Sequence, residues 1–134
     1  MEKSFIVLTN HEITDMQRKE AMSQFGCTKI ITPPDKVRYF WANVPPEGEL
    51  EETGIEDVIR FLESSSQTGD YVHVQGEFGA TFFTVDYCFK TGLIPVYSTS
   101  ERVYDERINR DGSVERYHNF KHVRFRMYTS YKKR

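Results

Sequence analysis

Cysteine is scarce in this chain, and so is any long apolar run. Cys27 and Cys88 are the only two cysteines in 134 residues, with no CxxC and no Cys/His ligand spacing. A disulfide framework and a zinc site are therefore excluded as organising devices, and a reducing cytoplasm is the expected compartment. The first apolar run, Phe5 to Leu8, is far too short for a signal-peptide core or a membrane span, and no later stretch exceeds ordinary core dimensions. A soluble intracellular protein with no membrane partner is expected. Gly76 and Gly79 do not make a GxGxxG, and no Lys follows the second glycine as a P-loop requires. Neither NAD binding nor ATP hydrolysis is indicated, and no cofactor is expected. There is no GxSxG elbow, and the acids fall in solvated helix and loop positions rather than in a metal-holding cluster. No bound catalytic metal is expected.

What is present is an ordinary globular balance, 38% hydrophobic and 28% charged, which excludes disorder and fibrous repeats. At 134 residues the chain is read as one domain, 1–134, with enough core to fold unaided. The net charge of −2 hides an asymmetry: Glu47 to Asp57 holds six acids and no base, and Lys121 to Arg134 holds six Lys/Arg and no acid. The basic end interleaves aromatics and suits phosphates and bases, while Lys132, Lys133 and Arg134 read as a solvated tail.

Short apolar runs alternate with helical patterns. Ser4 to Thr9 reads as a buried strand, followed by a helix opened by a Thr14/Gln17 capping box, running through Met16, Ala21, Met22 and Phe25 to a Gly26 stop. Cys27 to Ile31 is a second strand, and Tyr39-Phe40-Trp41 an irregular helical turn between proline pairs. Thr53 and Glu56 suggest another capping box, before a stripe of Ile55, Val58, Ile59 and Leu62 at helical spacing. Tyr71 to Gln75 and Leu93 to Tyr97 read as strands separated by a helix over Gly79 to Thr91 that Gly92 ends. Arg110-Asp111-Gly112 marks a hairpin between Val103–Asn109 and Ser113–Phe120. A last alternating run places Val123, Phe125 and Met127 on one face and His122, Arg124, Arg126 and Tyr128 on the other. The fold class is α/β: a Rossmann-like, mainly parallel sheet with helices on both faces and a C-terminal antiparallel hairpin.

In such a sheet the ligand crevice lies beyond the carboxyl ends of the strands. Three polar turns fall there: Thr9-Asn10-His11, Gln75 to Thr81, and Ser98 to Arg102. The Gly76 and Gly79 turn can present backbone N–H groups and a helix N-terminus to phosphate, or can be a tight strand-to-helix junction without a ligand. Glu77 counts against a bare phosphate cradle. His11 can act as a general base or cap the next helix. His73 reads as structural and His118 as exposed. A face of His122, Arg124 and Arg126 suits phosphate chemistry, although an edge strand also carries cations to discourage edge pairing.

The order of these blocks resembles the small stand-alone CRISPR-associated ring nucleases related to CARF (CRISPR-associated Rossmann fold) domains. The resemblance rests on Thr9-Asn10-His11, Val74-Gln75-Gly76-Glu77-Phe78-Gly79-Ala80-Thr81, Gly92-Leu93-Ile94-Pro95-Val96-Tyr97-Ser98-Thr99, Arg102, and Phe120 to Arg126. It implies a CARF-like fold that binds cyclic oligoadenylate, cyclic tetra-adenylate first among them. It further implies metal-independent cleavage to linear products ending in 2′,3′-cyclic phosphate, and a homodimer matching the symmetry of the ring. Gln75, Gly76, Gly79, Ala80 and Thr81 would contact ribose phosphate, Ser98, Thr99 and Arg102 would flank it, and Asn10 and His11 would approach a ribose hydroxyl. His122 or His11 would transfer protons, and Arg124, Arg126 or Arg102 would meet phosphate charge. A non-cleaving sensor of the same messenger and a general RNA binder are the alternatives; DNA is not an expected partner.

Overall fold

The computed structural model describes residues 2–132, except for the side chain of His118. Four parallel strands, β1 (Lys3–Leu8), β2 (Cys27–Ile31), β3 (Tyr71–Val74) and β4 (Ile94–Ile108), are joined by antiparallel β5 (Val114–Met127) in the order β2-β1-β3-β4-β5. The chain steps one way from β1 to β2 and the other way from β3 to β4, so strand order reverses between β1 and β3. This reversal separates the helices. α1 (Asp15–Ser23), which links β1 to β2, packs on one face through Ala21 against Phe5, Val7, Val96 and Phe125. α2 (Asp35–Ala42), α3 (Glu52–Ser65) and α4 (Phe78–Thr91) pack on the other, over Ile6, Leu8, Val72 and Val74. The architecture is the expected α/β, Rossmann-like one. No helix among the described residues is long and apolar enough to cross a membrane.

Local chemistry explains most boundaries. The Thr14/Gln17 capping box opens α1: Thr14 Oγ1 accepts from the Gln17 amide at 3.1 Å, and Gln17 Oε1 accepts from the Thr14 amide at 3.1 Å. Gly92, at φ 77°, ends α4 in the left-handed conformation that a side chain resists. The α3 stripe forms as expected, with Ile55, Val58 and Leu62 buried and Ile59 at its margin.

Several boundaries move. α1 stops at Ser23, short of Gly26; Met16 and Met22 face solvent, and Phe25 lies beyond the helix, stacked on Tyr71 at 4.4 Å. Tyr39-Phe40-Trp41 belongs to the regular helix α2, because Pro34 at φ −65° serves as its N-cap and Val37, Phe40 and Trp41 share a buried stripe. The Thr53/Glu56 box does not form, since α3 begins at Glu52 and Thr53 is already inside its first turn. The strand starting at Ile94 does not end near Tyr97 but continues to Ile108, and the last alternating run is the inner half of β5 rather than a separate strand. The two make one long hairpin, turning at Asn109–Ser113, whose distal part stands clear of the body. Lys132 is exposed, as a solvated tail would be; Lys133 and Arg134 lie outside the described residues.

Gly54 illustrates how packing overrides propensity. A Cβ built there would sit 2.1 Å from Phe40 Cδ1, so α2 and α3 approach as closely as they do only because Gly54 has no side chain. Gly54→Ala gains up to about 1 kcal/mol of helix propensity but overpacks a buried ring, at a cost of about 1–3 kcal/mol or more. Net destabilisation is expected in urea titration; a stabilised variant would show that Phe40 moves aside freely.

Candidate functional site

The reversal between β1 and β3 opens a crevice of about 630 Å³ at the carboxyl ends of the strands. That volume is within the range of small-molecule sites, roughly 300–1,000 Å³. Thr9, Asn10, His11 and Glu12 come from the turn after β1, His73, Gln75 and Gly76 from the end of β3, and Ser98, Ser100, Phe120 and His122 from the β4–β5 ladder. A larger hollow of about 1030 Å³ lies between Phe89 and Tyr128–Lys132, but it lacks this convergence of polar groups.

Gln75 builds the floor. β3 and β4 pair by backbone only as far as His73 and Val96. One step on, the Gln75 side chain takes over the ladder: its Oε1 accepts from the Ser98 amide at 2.7 Å and its Nε2 donates to Ser98 O at 3.4 Å. Its backbone is held as well, with the amide donating to Leu8 O at 3.0 Å and the carbonyl accepting from Trp41 Nε1 at 2.8 Å. Trp41 also explains Gly76, where a Cβ would sit 2.6 Å from the indole nitrogen. Tyr128 ties β5 to the same edge by donating to Val74 O at 2.6 Å; burial pushes this phenol up to about 12.

His73 lies beneath Gln75, its ring edge-on to Phe125 at 4.8 Å. Its Nε2 is 2.6 Å from Gln75 Oε1, which already accepts from an amide, so Nε2 carries the hydrogen. Nδ1 is buried without a partner. Burial pushes the His73 pKa down to about 4, and the imidazole is neutral at ordinary pH.

His122 lies in a second chain of contacts. Its Nδ1 is 2.5 Å from Ser98 Oγ, and its Nε2 is 2.7 Å from Glu20 Oε1 on α1. Glu20 Oε2 in turn accepts from the Phe125 amide at 2.6 Å. The shared face of His122, Arg124 and Arg126 does not form. Thr99 pairs with Arg124 and Ser100 with His122, leaving Val123 as an extra residue on β5. Because side chains alternate with period two, this bulge turns His122 to the α1 side, its ring 4.7 Å from Phe125. Arg126 pairs with Tyr97, lies 5.8 Å over its ring, and donates to its hydroxyl at 3.3 Å on the opposite side of the sheet. Arg124 is spent locally, donating from Nε to Phe125 O.

Of the residues expected at the site, Asn10, His11, Gln75, Gly76, Ser98 and His122 line the crevice. Arg102 is not part of the crevice lining; its guanidinium lies 5.4 Å over the ring of Phe120, which does line it. Thr99 faces away and donates to Arg124 O. Gly79, Ala80 and Thr81 form the first turn of α4 outside the crevice lining; the Glu77 carboxylate occupies that helix end by accepting from the Ala80 amide at 2.7 Å. Ser100, from the expected Ser98 to Arg102 turn, and Phe120 also line the crevice, whereas Glu20 escaped the sequence reading, since a single glutamate on an amphipathic helix carries no signal of its partner. Arg18 and Arg38 escaped it too. They border an adjoining hollow of about 440 Å³ that shares Thr9 to Glu12 with the crevice. Both thiols are buried and free, with Cys27 pushed up to about 11 and Cys88 to about 12, so neither is a ready nucleophile. Among the described residues no group of three or more His, Cys, Asp or Glu is placed to hold a metal ion.

Residues 3–126 match the Uncharacterized protein MJ1673 family. The chain belongs to that family. A relative named Uncharacterized protein MJ1673, from Methanocaldococcus jannaschii, is 35% identical over 131 residues, covering 98% of this chain and 100% of the relative. The family match thus spans β1 through β5, including the crevice and its floor.

The neutral buried imidazole of His73 makes stability pH-dependent. Its folded pKa, about 4, lies below the ordinary value of 6.5, so between these limits the unfolded chain binds the extra proton. The associated stability is complete above pH 6.5 and lost as pH falls toward 4. The melting temperature should drop across that window, and His73→Gln, which keeps an N–H for Gln75, should flatten the drop. An unchanged profile in the variant would mean that other groups dominate acid unfolding.

Proposed function

We propose that this protein binds cyclic oligoadenylate, cyclic tetra-adenylate first among them, across the switch-point crevice and opens the ring without a metal. The carrying observation is the meeting of Asn10, His11, Gln75 and Ser98 with the His122 imidazole at one strand edge. The reacting nucleophile belongs to the substrate. A ribose 2′-hydroxyl attacks its adjacent phosphorus, forming the 2′-oxygen–phosphorus bond as the bond from phosphorus to the 5′-oxygen breaks. One proton leaves the attacking hydroxyl and one reaches the departing 5′-oxygen, leaving a 2′,3′-cyclic phosphate and a 5′-hydroxyl. The protein has to align the groups, move that proton and offset the charge.

His122 is assigned the proton transfer, with His11 on the opposite loop as the second imidazole. Asn10 and Gln75 would orient ribose and phosphate, Phe120 offers an exposed ring for stacking an adenine, and Arg102 stands beside it. Arg18, bordering the adjoining hollow, replaces Arg124 and Arg126 as the cation offered to phosphate from this side, with Arg38 beside it held by Pro33 O at 3.3 Å and Asp35 at 3.6 Å. A hollow of 630 Å³ holds only part of such a ring, which supports a two-fold homodimer presenting two crevices to one ligand. Two free buried thiols fit a cytoplasmic setting.

Incubating the protein with cyclic tetra-adenylate in EDTA and resolving the products chromatographically tests the reading. Linear products ending in cyclic phosphate are expected. His122→Ala should lower the rate by at least about tenfold, the low end for loss of a proton-transfer group. Tight binding with intact ligand would make the protein a sensor, and salt-sensitive displacement by linear RNA would make it a general RNA binder.

A further inference from the structure

We infer that Glu20, His122 and Ser98 work as one proton relay, in which Ser98 exchanges the proton with the bound molecule and Glu20 is a positioning residue that selects the working tautomer. The identity of that molecule rests on the cleavage reading above; the geometry of the relay does not.

The argument begins at a backbone amide. The Phe125 N–H can only donate, so Glu20 Oε2, 2.6 Å away, is an acceptor and the orientation of the carboxylate is fixed. Its other oxygen is thereby presented to His122 Nε2 at 2.7 Å, and that nitrogen must carry hydrogen. In the neutral ring Nδ1 is then a bare lone pair, 2.5 Å from Ser98 Oγ, and the serine hydroxyl donates to it. When the ring takes a proton, Nδ1–H donates to Ser98 Oγ, and the hydroxyl hydrogen turns to Thr99 O at 3.3 Å. Both protonation states are fully hydrogen-bonded, so the ring gains and loses a proton without orphaning a polar group.

Burial separates this from an exposed ion pair. The His122 side chain is 6% exposed and that of Glu20 15%, while Ser98 lines the crevice. His122 lines the crevice as well, but its Nδ1 is already engaged by the Ser98 hydroxyl, so a proton leaving that nitrogen passes through the serine. His73, packed against the same Phe125 ring, is pushed down to about 4 by burial first and by the neighbouring His122 charge, so it stays neutral at ordinary pH. A carboxylate that merely fastened α1 to β5 would need only the Phe125 amide. In ring opening, the 2′-hydroxyl proton passes to Ser98 Oγ as the serine's own proton moves to Nδ1. The proton then returns by the same path to the departing 5′-oxygen.

The test combines ring ¹⁵N NMR of His122 with kinetics of wild type, Glu20→Gln and Ser98→Ala. Wild type should show neutral His122 protonated at Nε2. Glu20→Gln retains an acceptor for Phe125 N–H but should give mixed tautomers, kcat about tenfold lower and KM within about twofold. The two changes combined should cost little more than either alone, because they break one chain. A wild-type ring protonated at Nδ1 would overturn the relay, as would a Glu20→Gln variant that melts earlier with tautomer and kcat unchanged. If wild type turns over no cyclic oligoadenylate yet the tautomer responds to Glu20→Gln, the cleavage reading fails and the relay stands.

Discussion

The crevice depends on one side chain standing in for a backbone. β3 is only four residues long, and once its backbone diverges from β4 the exposed Ser98 peptide needs another partner. The Gln75 carboxamide, having an acceptor and a donor in one plane, pairs with that peptide and extends the ladder by one rung. The strands are thus still tied together after their main chains part, which is the condition for an open crevice with an ordered floor. His73 and Trp41 lock the carboxamide and its peptide from the two faces of the sheet. Catalytic or binding groups set on such a floor hold their places without a ligand.

A second constraint is the unequal covering of the sheet. Three helices share one face, whereas the nine-residue α1 serves the other. Beyond α1 the β4–β5 ladder is uncovered, so a polar cluster can sit on the sheet at partial depth instead of being squeezed out by apolar packing. Glu20 marks the boundary. It ends the apolar contact of α1 and begins the hydrogen-bonded chain to His122 and Ser98. The β5 bulge completes the arrangement, because only an extra residue at Val123 lets His122 and Phe125 point to the same side.

The electrostatic character of the crevice follows. Its floor is built from neutral groups, an amide, hydroxyls and the His73 imidazole, uncharged at ordinary pH, while Glu12 lines its wall, Glu20 lies behind His122, and Arg18 and Arg38 border the adjoining hollow. The helix end that a glycine-spaced turn advertises as an anion site is already occupied by its own Glu77. That helix N-terminus therefore already has a carboxylate partner of its own.

Periodicity and turn chemistry by themselves determined the alternating α/β fold, the parallel strands, the Thr14 cap and the Gly92 stop, because each is enforced by residues within a few positions of one another. They also brought Asn10, His11, Gln75 and Ser98 to one edge, since strand ends in such a fold share a side. The outward turn of Arg124 and Arg126, the inward turn of His122, and the meeting of Glu20 with a residue 102 positions away belong to tertiary structure alone. A single inserted residue inverts every later side chain of a strand, and its location is set by what β4 and α1 offer as partners. Local sequence carries the period of a strand but not the place where that period breaks.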